Sequence, residues 1–215
     1  MRTEKSRYET GGTERAELLF FCGMLGFVGS LTPIGAMIWS SIVAEHDLIA
    51  DSVSDLARGP HKQIMDVGFY IHAAALVSLA IGAAHAHLGR AGWSFGLFCL
   101  ALLALVVSLL GLYDKFNAQG QGGSMTVHTQ LSFLLGPLYL AGPLLMARGM
   151  ARVHRGYATA FVAAAVLWLV FATLFKLAPT AYDGILEKIG IAATMLWTVP
   201  LSLFFIQRAR IVSGR

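Results

Sequence analysis

Between Asp51 and His72 the chain runs DSVSDLARGPHKQIMD and then enters an apolar segment, so that Ser54, Asp55, His61, Asp66 and His72 come close together in sequence. Asp114, His128 and Glu187 lie at the edges of other apolar segments. These residue types suit three chemistries. His72, Asp114 and His128 are the residues for a Zn²⁺ site that keeps one position open for water, with Asp55 as base and Ser54 as hydrogen-bond donor, which would be a metal-dependent hydrolase acting on a lipid. The catalytic candidates are then Ser54, Asp55 and Asp114. Alternatively, His72 and His128 are two imidazoles for the iron of a single haem b. Without a cofactor, Ser54, Asp55, His61, His72, Asp114, His128 and Glu187 form a polar ligand-binding set. Each also has a structural role open to it: Ser54 or Asp55 as a helix cap or a tie on the Gly59-Pro60 turn, Asp114 paired with Lys115 or Lys188, and His128 capping its helix beside Thr126.

The elements that would position these residues are membrane helices. The chain is 56% hydrophobic and 13% charged, with a mean hydropathy of +0.66, far from the roughly one-quarter charged residues of a soluble domain. Six segments without Asp, Glu, Lys or Arg, the fifth of them ending at Phe175 just before Lys176, predict an all-α bundle of six transmembrane helices, at about 18–44, 67–89, 91–113, 126–147, 156–177 and 189–207. Each is near the roughly 20 residues a crossing needs. Residues 17–208 make the transmembrane domain, between a tail at 1–16 that does not read as a signal peptide and a tail at 209–215. Eleven of the sixteen lysines and arginines fall on the side of the termini, which places both tails in the cytoplasm. Eight of the twelve acids fall on the other side with the polar set. There, 44–56 reads as a surface amphipathic helix with Leu48, Ile49, Val53 and Leu56 as its apolar side. Pro33, Pro137, Pro143 and Pro200 fall inside predicted helices and free backbone carbonyls there. Gly23, Gly26, Gly29 and Ser30 allow close packing.

The net charge of +4 sits beside apolar segments and follows membrane topology, which excludes nucleic acid as partner. Membrane lipids are the expected partners, with His85, His87 and His154 at headgroup phosphates. Aromatic residues such as Trp93, Phe95, Phe98, Trp168, Phe171, Phe175, Trp197, Phe204 and Phe205 suit lipid or other membrane protein subunits. Cys22 and Cys99 lie in apolar segments without metal or disulfide spacing, and no internal repeat is evident.

The elements SVSDLARGP, GLYDKFNAQGQGG and VHTQLSFLLGPLYL together resemble the six-helix bacterial and archaeal membrane proteins known as domain of unknown function 998, over about residues 17–208. The family's Ile-Ser-Glu/Asp-Leu element is matched by Val53, Ser54, Asp55 and Leu56. Its acidic residue closing the third helix is matched by Asp114, followed here by Lys115 in place of Pro, and its histidine opening the fourth helix by His128. The resemblance implies a multi-pass protein of a bacterial or archaeal cytoplasmic membrane. A looser similarity is to the alkaline ceramidase group, although the closely spaced C-terminal histidines of those hydrolases are absent after His154. The expectation is a pocket facing away from the cytoplasm, between the second, third, fourth and sixth helices, that binds a small or lipidic ligand. The alternatives are an accessory subunit of a membrane complex and the metal-dependent hydrolase.

Overall fold

A computed structural model describes residues 14–57, 61–112 and 127–214. They form α1 (Ala16–Val43), α2 (Val53–Leu56), α3 (Lys62–Ala86), α4 (Ala91–Leu112), α5 (Val127–Ala151), α6 (Arg155–Leu177) and α7 (Asp183–Ser213), with a 3₁₀ turn at Thr180–Tyr182 before α7. No strand occurs among the described residues. Six of the helices are long and apolar enough to cross a bilayer. Even α4, with 22 residues, spans roughly 33 Å at 1.5 Å per residue, against a hydrocarbon core of about 30 Å. The chain is a multi-pass integral membrane protein.

The six long helices close into a ring. α1 packs on α3 and α7, α3 on α4, α4 on α5, α5 on α6, and α6 on α7. In lipid the drive for such packing is close van der Waals fit, which small residues permit. On α1, a Cβ added to Gly23 would stand 2.8 Å from the Ser202 carbonyl of α7, and one added to Gly29 would stand 2.8 Å from the Ile71 carbonyl of α3. Neither backbone could stay where it is. Large side chains fill the half of the ring nearer the termini: Phe161, Phe205, Leu79, Met146 and Met150 are all fully buried there.

The beginning of α1 and the end of α7 meet at one end of the ring. Arg208 binds Glu14 there through Nε to Oε2 at 2.8 Å and Nη2 to Oε1 at 2.6 Å. The Arg15 backbone N–H, which has no acceptor within its own helix, donates to Nε2 of His85 at 2.7 Å. His154 accepts from the Gly156 N–H at 3.0 Å and caps α6. His87 ends α3 with a left-handed φ of 38°, a position glycine or asparagine usually takes. The structure thus gives these three histidines places at helix ends.

Three expectations change. The surface helix at 44–56 is not formed: residues 48–50 make a turn, and only Val53–Leu56 is helical. Next, the last helix begins at Asp183 and not near 189, because its charged residues are satisfied by the 47–53 segment. Lys188 donates to the Leu48 and Asp51 carbonyls, and Glu187 accepts from the Val53 N–H. Among the aromatic residues, Trp93, Trp197, Phe204 and Phe205 are buried, and of those offered to lipid or partners only Phe95 and Phe98 are exposed, at 60% and 61%. The four prolines lie within continuous helices. Asp114, Lys115, Thr126 and the Gly59-Pro60 turn lie outside the described residues.

Candidate functional site

At the end of the ring away from the termini, the segment 47–57 is clamped onto the first turns of α7. The backbone N–H groups that open a helix lack partners within it; here those of Gly184 and Ile185 donate to the Ala50 and Ile49 carbonyls at 3.2 and 2.9 Å. One turn on, Lys188 Nζ reaches the Leu48 and Asp51 carbonyls at 3.0 and 2.8 Å. Four successive carbonyls are therefore held by one helix. Gly184 permits the approach, since a Cβ on it would overlap the Asp51 carbonyl.

α2 follows directly, and a single helical turn needs outside support. Ser52 donates to Asp55 Oδ2 from its backbone N–H at 2.8 Å and from its hydroxyl at 2.7 Å, in a capping-box pair. Glu187 Oε2 accepts the Val53 N–H at 2.6 Å. Val53, Leu56 and Ala57 bury themselves against Met65. These ties fix Ser54, whose Oγ lies 3.2 Å from Nε2 of His128 in the first turn of α5.

Behind this pair the ring lines a partly open cavity of ≈ 240 Å³, many times the roughly 10–15 Å³ that one water requires. All six long helices and α2 line it, so it is bounded more widely than by the four helices the sequence suggested. Its walls are apolar, with Met37, Phe69, Leu110, Phe171 and Phe175 among them. The polar side chains lining it are Ser54, His128, Ser132, Lys176 and Glu187, with Ser30, His72, Tyr139 and Thr194 on other helical turns; the hydroxyls of Ser30, Ser132 and Thr194 are spent on carbonyls of their own helices. Lys176 Nζ sits over the Phe133 and Phe175 rings, 5.0 and 4.7 Å from their centroids. This is a cation–π placement that keeps a charge beside an apolar wall.

His72 is held by a proline one helix away. Pro33 has no N–H to give the Gly29 carbonyl, and His72 Nδ1 supplies a donor at 2.9 Å, alongside the Thr32 hydroxyl at 2.8 Å. A carbonyl only accepts, so Nδ1 carries the proton, and Nε2 accepts from the Tyr139 hydroxyl at 3.2 Å. Both ring nitrogens are engaged in these contacts. His128 lies eleven residues before Tyr139 on α5, roughly 16 Å along the axis, so the two imidazoles do not share one level. Among the described residues no three His, Cys, Asp or Glu side chains gather as a metal-ligand set.

The structure thus separates the residues that the sequence grouped. Ser54, His128, Glu187 and His72 face one cavity. Asp55 is turned to Ser52 in the capping-box pair. His61 stands exposed at the start of α3, and Asp66 pairs with Lys62 at 3.0 Å. Tyr139, Trp168 and Lys176 face the cavity without having been chosen. Only the position of Lys176 at the end of an apolar run hinted at it.

The clamp also carries a pH dependence. Burial, then the nearby Lys188 charge, holds the His46 imidazole below its usual range, against the opposing pull of Asp51, Asp55 and Asp47. Hydrogen bonds from the Ile49 and Ala50 N–H groups hold Asp47 below the usual carboxylate value. Both groups bind fewer protons folded than unfolded. The His46 contribution is complete above about pH 6.5 and fades as pH falls through the lower folded value. Asp47 behaves likewise below about 3.8. Hydrogen exchange of 46–57, corrected for its intrinsic rate, is expected to quicken between pH 7 and 5, and to lose that dependence in His46→Gln. An unchanged profile in the variant would assign the dependence elsewhere.

Comparison with curated proteins and with solved structures found no match. The family model described as "Protein of unknown function (DUF998)" matches residues 24–203, a stretch that takes in four of the six long helices whole, most of α1 and α7, the clamp and the cavity, and the chain belongs to that family.

Proposed function

We propose that this protein binds one amphiphile, with an acyl chain in the cavity lined by the helix ring and a polar end at Ser54, His128, Glu187 and Lys176. The observation that carries this reading is the distribution of chemistry around the cavity: walls that are mostly apolar, with Ser54 of α2, His128 of α5, Lys176 of α6 and Glu187 of α7 all coming from the ends of their helices away from the termini. An apolar space of this kind favours hydrocarbon, at roughly 0.8 kcal/mol per buried methylene. The cation of Lys176 suits an anionic headgroup. The excess of lysine and arginine at the end that carries the termini supports a mouth facing away from the cytoplasm.

The test fills the cavity. Gly136 lines it with nothing within 4 Å of an added Cβ, and a Cβ on Gly190 would meet Phe171 and Trp168 at an ordinary 3.7–3.8 Å. Gly136→Phe and Gly190→Leu therefore place side chains in space that is open or nearly so. A fluorescent fatty acid is expected to bind the detergent-purified protein saturably, and at least ~10-fold more weakly to either variant, since displacing two methylenes costs about 1.6 kcal/mol. Equal binding by wild type and both variants would end this reading.

A further inference from the structure

We infer that Ser54 and His128 are the nucleophile and general base of a lipid esterase, acting on an amphiphile held in the cavity; this rests on the ligand reading above and extends it from binding to turnover. Ser54 and His128 come from helices 74 residues apart in sequence and meet at 3.2 Å between Oγ and Nε2. A nucleophile and its base need to lie within about 2.6–3.2 Å, often less tightly before substrate binds.

A serine in a helical turn ordinarily spends its hydroxyl on nearby backbone, as Ser30, Ser41, Ser108 and Ser132 do here. Ser54 does not: its partner is an imidazole on another helix. Both residues line the same cavity, Ser54 half-buried and His128 7% exposed. The four-residue helix that carries Ser54 is capped by its own Asp55 on Ser52, and is fixed from outside by Glu187 on the Val53 N–H and by α7 on four preceding carbonyls. Such fixing holds a reacting oxygen in place, and productive geometry can supply much of a barrier's reduction.

The step balances without any cofactor. Ser54 Oγ bonds to the ester carbonyl carbon while its proton passes to His128 Nε2. The tetrahedral intermediate breaks the bond from the acyl carbon to the leaving oxygen, and Nε2 returns its proton to that oxygen, which leaves as an alcohol. The acyl group is now on Ser54. Water attacks it with the same imidazole taking the proton, the acyl–Ser54 bond breaks, and a fatty acid leaves as the serine regains its proton. The substrate class is a carboxylic ester with one chain short enough for the cavity and an alcohol portion that stays at the mouth.

A fluorophosphonate carrying an alkyl chain phosphonylates activated serines with loss of fluoride, and it tests the pair on the full-length protein in detergent. Intact-mass and peptide analysis are expected to show one adduct, on Ser54. It should be absent in Ser54→Ala, formed at least ~100-fold more slowly in His128→Gln, and blocked in Gly136→Phe, which closes the chain site. Thermal unfolding of each variant identifies any loss due to misfolding. Wild-type protein that binds the fluorescent fatty acid but gives no Ser54 adduct would overturn the esterase and leave the binding reading standing. The esterase is equally overturned if His128→Gln reacts at the wild-type rate. Failure of both fatty-acid binding and labelling would remove both readings together.

Discussion

Replacing Glu14 with alanine is expected to lower the unfolding free energy of the bundle by about 3–5 kcal/mol, the range found when one partner of a buried ion pair is removed. The pair qualifies by its geometry. Two short hydrogen bonds run from one face of the Arg208 guanidinium to the two carboxylate oxygens of Glu14, the paired arrangement that makes arginine and carboxylate fit one another. The side chains are 7% and 12% exposed, so solvent screens them little. The Phe204 ring, 6.0 Å from the guanidinium carbon, adds a smaller attraction and cannot take the place of a carboxylate. Arg208→Lys keeps the charge and loses the fork, and is expected to recover only part of the stability. Denaturant titration of the detergent-solubilised protein measures the difference; a loss below about 1 kcal/mol in Glu14→Ala would show that the pair behaves as a surface bridge.

That pair also marks a limit of the sequence. Six apolar runs reveal six helices because hydropathy follows directly from composition along the chain. Helix ends are a different matter. Arg208 reads as the polar stop of the last helix until Glu14 neutralises it, and Glu187 and Lys188 read as the polar start until the carbonyls and the Val53 N–H of another segment receive them. A charge followed along one chain carries no sign of a partner more than a hundred residues away. The same reason explains the site. Ser54 and His128 could be picked as polar residues at membrane edges, yet nothing in their own segments says that they touch. Asp55 and His61 looked equivalent to them, although one caps its own turn and the other stands exposed. His72 was legible as an inward group because an ionisable side chain inside a span faces the bundle. Its partners were not, since they depend on Pro33 of α1 and Tyr139 of α5 meeting around one imidazole.

Gly184→Val is expected to release the 47–57 clamp and separate Ser54 from His128 while leaving the ring intact. A Cβ at this position overlaps the Asp51 carbonyl and lies 2.8 Å from that of Ile49, and both are backbone atoms that no rotamer change can move aside. Overpacking of this kind costs about 1–3 kcal/mol. The strain is most easily relieved by lifting the segment away, which also gives up the hydrogen bonds from Gly184, Ile185 and Lys188, each worth about 1 kcal/mol net. Detachment of one short segment limits the damage, because α7 retains its packing on α1 and α6. The expected pattern is thus local. Hydrogen exchange rises more than ~10-fold in 47–57 and little in α3 or α4, global unfolding moves by no more than the about 4 kcal/mol of the four lost hydrogen bonds, and alkyl fluorophosphonate labelling of Ser54 falls with the loosened segment. Lys188→Met tests the same link from the other side: it removes the donor to two carbonyls but adds no bulk at Gly184, so it should raise exchange in 47–57 without steric strain. Exchange in that segment unchanged by both substitutions would mean that α2 is held by Glu187 and its own apolar contacts alone, and that the clamp is not what keeps Ser54 against His128.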